Sequence, residues 1–153
     1  MEVEVALEVV VDRLRARQDA AWQPLLDWVR ERHGAELAVA SGLTFVSQPN
    51  AALARLRRAV EAHSDMALSA LYNLTHIAGS LVIALAIAEG RLDAEQAFTA
   101  AQLDELYQIE RWGEDPIATE RHAGIRKDMQ AGARFLALLG DARLKGQGLG
   151  GDT

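Results

Sequence analysis

Apolar positions recur at three- and four-residue spacing through most of the chain, and the stripes they form divide it into helices. Residues 67–88 are a run of 22 without Asp, Glu, Lys or Arg. A helix built from such a run is apolar nearly all round and belongs at the centre of a bundle. The run has the length of a bilayer span, yet Ser69, Asn73, Thr75, His76 and Ser80 interrupt it and no second span accompanies it. Stable membrane insertion is therefore not expected. Ser64 or Asp65 can cap the start by accepting orphan backbone N–H groups, and Gly90 can take the left-handed conformation that ends it. Together these signals predict one central helix over about 66–89.

Asp93-Ala94-Glu95-Gln96 reads as a capping box opening the next helix, which should stop at Gly113. Within it, helical spacing from Phe98 runs through Ala101, Glu105, Ile109 and Trp112, so Glu105 is expected on the apolar stripe, with Asp104, Gln108 and Arg111 on a wetter side. Asp115-Pro116 then offers a cap and a first-turn proline for a last helix running to about Gly140, whose apolar line is Ile125, Met129, Ala133, Leu136 and Leu139. Upstream, Pro49-Asn50 starts a short helix with Leu53, Leu56 and Val60 on one face. Leu37–Ala40 and Leu43–Ser47 flank Ser41-Gly42 as the arms of a hairpin. The stripe Trp22, Leu25 or Leu26, and Val29 predicts a helix from Arg13 to His33 that Pro24 kinks or restarts and Gly34 ends. Residues 1–12 alternate like a strand but also fit a helical stripe, and continuity with the helix beginning near Arg13 favours helix.

The expected fold is thus mainly α: a helical bundle around a central apolar helix, with a small β-hairpin near residues 37–47. One domain over 1–144 and a flexible Gly-rich tail over 145–153 complete it. With 153 residues, 50% hydrophobic and 25% charged, the chain has enough apolar surface for one core. A net charge of −6 argues against a nucleic-acid partner, because neutralising phosphates needs a basic surface. The absence of cysteine excludes disulfides and thiolate chemistry. With no secretory leader, the expected address is the cytoplasm of a bacterium, or the mitochondrial matrix for a eukaryotic chain.

Candidate chemistry is sparse. His33, His63, His76 and His122 stand at no recognised ligand spacing, so neither metal nor cofactor is expected. His76, inside the uncharged run, reads as a hydrogen-bonded interior histidine. Gly79-Ser80 lacks the glycine pattern of a nucleophile elbow and reads as a small pair admitting close helix packing. Trp22, Trp28 and Trp112 read as core or core-edge rings. The acidic group Asp104, Glu105, Glu110, Glu114 and Asp115 is a solvated face with helix caps, apart from Glu105, which as a buried carboxylate must be paired or used. An enzyme would need a cavity joining Glu105 to His76 or His122.

Glu105 followed by Tyr107-Gln108-Ile109-Glu110-x-Trp112-Gly113-Glu114-Asp115 resembles the signature of the assembly chaperones that guard the alpha subunit of the ATP synthase catalytic head. Arg17-Gln18, Trp22 and Pro24-Leu25-Leu26-Asp27-Trp28 resemble that family's first long helix. Gly79-Ser80-Leu81-Val82 and Ala88-Glu89-Gly90-Arg91-Leu92 resemble its central helix and exit. The likeness covers about 13–139. The family carries a β-rich N-terminal domain that this sequence is expected to lack, and it often has a further acidic residue where Leu106 stands.

The resemblance implies a chaperone, not an enzyme, that binds the unassembled alpha subunit and shields the surface meant for the beta subunit. It implies client contacts at Glu105, Asp104, Gln108 and Trp112, and structural roles for Trp22, Pro24, Trp28, Gly79, Gly90 and Gly113. Glu105 has two readings: an anchor for a client cation or N–H group, or a carboxylate satisfied within the bundle by an arginine or helix-end amides. The alternative for the whole chain is a self-associating helical scaffold, a homo-oligomer burying the first long helix and the Leu53-Leu56-Val60 face against a second copy.

Overall fold

The computed structural model describes the backbone over residues 2–39 and 47–147, with side chains described over 9–39 and 47–140. Seven helices and no strand occur among these residues: α1 (Glu2–His33), α2 (Asn50–Glu61), α3 (Asp65–Ala78), α4 (Leu81–Ala88), α5 (Ala94–Ala101), α6 (Leu103–Trp112) and α7 (Pro116–Gln147). The helical reading holds over residues 2–12, and α1 passes through Pro24 without a break.

The uncharged run forms two helices, not one. Gly79 adopts φ +69°, the left-handed conformation that terminates α3, and the Ser80 hydroxyl accepts from the Ile83 N–H to cap α4. Nothing lies within 4 Å of where a Gly79 Cβ would be, so this glycine serves the turn and not close packing. The centre is α4: Ile83, Ala84, Leu85, Ala86 and Ile87 are all buried, as expected for a helix with no polar side. By contrast α3 has an open face on which Tyr72 and His76 stack edge to face at 4.5 Å. His76 is exposed, so it is not the interior histidine expected.

α4 ends in a Schellman turn. Gly90, at φ +75°, donates to the Ile87 carbonyl at 3.1 Å, and Arg91 donates to Ala86 at 2.8 Å. The Asp93–Gln96 capping box forms reciprocally, at 2.8 and 3.0 Å. α3 packs most extensively on α7, with α5 also against α7 and α1 against α4. Val29, Leu71, Leu74, Leu85, Phe98 and Met129 form the interior of this assembly. On α7, Met129 is buried and Ile125, Ala133 and Leu136 pack against the core, following the predicted stripe. The helix runs to Gln147, past the expected end near Gly140.

The hairpin expected near 37–47 is not formed by the described residues. Residues 37–39 and 47 carry no strand, and 40–46, with the expected Ser41-Gly42 turn, lie outside those described. Instead the Gln48 amide clasps the Ala38 peptide: Ala38 N–H donates to Gln48 Oε1 at 2.8 Å, and Gln48 Nε2 donates to the Ala38 carbonyl at 2.9 Å. One side chain thereby makes the two hydrogen bonds that a facing strand residue would make.

Candidate functional site

The helix expected over 93–113 breaks at Gln102, which is at once the last residue of α5's cap and the first of α6's, at φ −103° and ψ 16°. The break shifts the phase of α6. Tyr107 becomes the residue it buries, Ile109 is half-buried, and Trp112 is 71% exposed where a core-edge ring was expected. Glu105 is not deeply buried either; its side chain keeps 41% of its exposure.

Glu105 lies in the first turn of α6, where the helix dipole favours an anion, and faces the second turn of α7. The Asp115 carboxylate caps that helix by accepting from the Ile117 N–H at 3.1 Å, just ahead of Pro116 at its first position. Two α7 side chains then converge on one oxygen of Glu105: His122 Nε2 at 2.6 Å and the Arg121 guanidinium. Hydrogen bonding from His122, aided by Arg121, outweighs desolvation and holds the Glu105 carboxyl below the usual glutamate range. His122 is itself buried and meets Phe98 edge to face at 6.0 Å. Among the described residues no hydrogen bond reaches Glu105 Oε1.

Glu105, Gln108, Ile109, Trp112, Arg121 and His122 line an open cleft of about 380 Å³. Three of the four expected contact residues thus share one surface. The fourth, Asp104, turns to α1, where it accepts from Gln18 Nε2 at 2.7 Å and lines a separate cleft with Trp22 and Val39. Glu110 is also tied to α1 by a two-pronged pair with Arg17, at 2.5 and 3.0 Å. That bonding lowers the Glu110 carboxyl's pKa and raises that of Arg17, whose guanidinium lies 4.9 Å from the Tyr107 ring centre.

The remaining motif residues position these elements. Trp22 Nε1 donates to the Ala100 carbonyl at 2.8 Å, fixing α1 on the end of α5, and Trp28 packs against the core. Gly113 ends α6 by donating to the Ile109 carbonyl at 2.8 Å. Of the two partners of Glu105, His122 is one of the two histidines that the sequence brings into consideration with it, and an arginine is expected only in general, without Arg121 being singled out. His122 also carries a signal of its own: it stands three residues before Ile125 and seven before Met129, on the buried stripe of α7.

Chemically, the cleft offers a charge-stabilised carboxylate with one unengaged oxygen, an amide and an exposed indole. The cavity joining Glu105 to His122 that an enzyme would need does occur here, while none of the residues lining it is a serine, threonine, cysteine, lysine or tyrosine. Lowering the carboxyl's pKa also makes it a weaker base. Among the described residues no group of three His, Cys, Asp or Glu side chains is placed to hold a metal ion, and no helix is long and apolar enough to cross a membrane.

No family model matches the chain. Among solved structures it is similar to Atp12 from Paracoccus denitrificans, at 35% identity and a TM-score of 0.80 over 83% of this chain and 55% of that one. An aspartate-to-lysine variant of the same bacterial protein matches at 34% identity and a TM-score of 0.80, over 82% of this chain and 54% of that one. A protein from Agrobacterium tumefaciens, provisionally described as a chaperone, matches at 38% identity and a TM-score of 0.75 over 81% of this chain and 46% of that one. The chain therefore spans about half the length of the structures it matches.

Proposed function

Since the chain belongs to the Atp12-type family over the helical stretch it shares with those structures, we propose that it is the client-binding helical part of a non-enzymatic assembly chaperone. Its client is the unassembled alpha subunit of the ATP synthase catalytic head, whose interface it shields until the beta subunit arrives. The observation that carries this reading is the half-engaged Glu105. Arg121 and His122 hold one carboxylate oxygen, while Oε1 faces no donor among the described residues, in a cleft that also presents Trp112 and Gln108. A desolvated client N–H or guanidinium would complete that oxygen's hydrogen bonding, and the exposed indole supplies the rigid apolar area common at interface centres. On this proposal the internal pairing and the client anchor are compatible, one for each oxygen. Ile117, 78% exposed in the first turn of α7, is a further large apolar side chain open to a client.

Self-association through the Leu53-Leu56-Val60 face has less support. Leu56 is buried and Val60 packs against the chain's own core, leaving Leu53 as the exposed member.

The test is suppression of alpha-subunit aggregation by the purified chain, with beta subunit added afterwards. Protection that beta releases is expected, and Glu105→Lys or Trp112→Ala should abolish it while circular dichroism stays unchanged. Equal protection by both variants would remove the cleft from the client surface.

A further inference from the structure

A second cleft, sharing no lining residue with the Glu105 site, opens where the end of α1, the face of α2, the end of α4 and α7 meet, and it encloses about 550 Å³. Its character is opposite to that of the molecule. The chain carries a net charge of −6, yet Arg32, Arg55 and Arg58 line this cavity against a single carboxylate, Glu89. That carboxylate is already engaged. It accepts from His33 Nε2 at 2.5 Å and from Arg32 Nε at 2.9 Å, and its side chain is 17% exposed. His33 is held from its other side by an edge-to-face contact with Trp28 at 5.7 Å.

Arg55 and Arg58 differ from Arg32. Both are exposed, three residues apart on one face of α2, and neither has an ion-pair partner among the described residues. Their neighbour Arg57, on the outer side, is paired with Glu61 at 2.9 Å, so the unpaired cations are those turned to the cavity. Arg55 is also positioned: its guanidinium and Cδ lie 3.7–3.9 Å from where a Cβ would project at Gly34, so the bare glycine backbone gives the side chain a shelf. Between the arginines and α7 the lining is apolar from Ala59, Ala62, Ala67 and Ala88 to Leu136 and Leu139, apart from His63, whose Nδ1 is tied to the Ala59 carbonyl at 2.9 Å.

A concavity with an apolar floor and two unpaired guanidiniums suits a ligand that is apolar on one side and carboxylated on the other. We propose that this cleft binds an acidic peptide segment, apolar side chains on the Ala59–Leu136 floor and carboxylates on Arg55 and Arg58. The planar guanidinium matches a carboxylate in two-pronged geometry, and the small floor residues leave room for a leucine-sized group. A free inorganic anion would gain nothing from the floor. The inference goes beyond the alpha-subunit reading and does not depend on it.

The experiment uses the full chain, labelled with nitrogen-15, titrated with a capped octapeptide of alternating leucine and glutamate. Three probes run alongside: the same peptide with lysine for glutamate, the same with serine for leucine, and inorganic phosphate. The leucine–glutamate peptide is expected to shift the amide resonances of Ala59, Ala62, Ala67 and Leu136. Its affinity should fall at least about tenfold in the Arg55→Gln/Arg58→Gln variant, whose exposed positions leave the fold unchanged by circular dichroism. Neither the lysine peptide nor phosphate should produce those shifts. Three outcomes overturn the proposal: no shift at millimolar peptide, full binding by the double variant, or equal binding of the serine peptide or phosphate. The last would make the cleft a simple anion site.

Discussion

Glu105 gives one carboxylate two different environments. Oε2 takes both the buried His122 and Arg121, and that bonding depresses the folded-state pKa. A carboxyl whose folded pKa lies below its unfolded value adds stability in full above the unfolded value. That stability is lost as the pH falls through the ordinary glutamate range towards the folded pKa. Because the side chain is 41% exposed, the contribution is discounted to at most about 1 kcal/mol. Urea denaturation should therefore find Glu105→Gln less stable than the parent at pH 7, with the gap narrowing progressively as the pH falls below the ordinary glutamate range. A gap of constant size would mean that shape, not charge, is what the substitution removes. The carboxylate was legible in the sequence as an oddity, since it sits at helical spacing with Phe98 and Ile109. What was not legible was its depth. The break at Gln102 rotates α6 relative to α5, and no Gly, Pro or cap residue marks that position.

The split of the uncharged run lies at the opposite extreme, for Gly79-Ser80 is a helix stop followed directly by a helix start. Both signals were in the sequence, and the unbroken apolar composition concealed them. The glycines of α7 show the same limit of local reading. Neither Gly124 nor Gly132 has a positive φ, and both sit inside a helix, where alanine is favoured by roughly 0.5–1 kcal/mol. Their surroundings differ. A Cβ at Gly124 would meet nothing within 4 Å, so Gly124→Ala is expected to stabilise by about that amount. A Cβ at Gly132 would lie 2.7 Å from Leu74 Cδ2 and 2.9 Å from its Cγ. Leu74 has no exposed surface and cannot swing aside, so overpacking by about 1–3 kcal/mol should outweigh the propensity gain. Thermal melts of the two variants should move in opposite directions. A rise in both would mean that α3 and α7 can separate slightly without loss.

For the whole molecule, the question is whether the two clefts communicate. Both use α7, the acidic one at Ala118, Arg121 and His122 and the basic one at Leu136, Leu139 and Gly140, which helical rise separates by roughly 20 Å. Between them α7 is clamped by buried Met129 and by Gly132 pressed on Leu74, and α3 and α5 pack along the same stretch. A close-packed segment of this kind has one arrangement, and charge changes at its two ends share no partner. The stability changes of Glu105→Gln and of Arg55→Gln/Arg58→Gln should therefore add, within about 0.5 kcal/mol, when all three substitutions are combined. The comparison is of urea midpoints and slopes for the parent, the two separate variants and the combination. Additive midpoints at constant slope would mark two independent surfaces on a rigid frame. A larger departure would show that α7 shifts as a unit, so that occupancy of the basic cleft would alter how the Glu105 cleft holds its ligand.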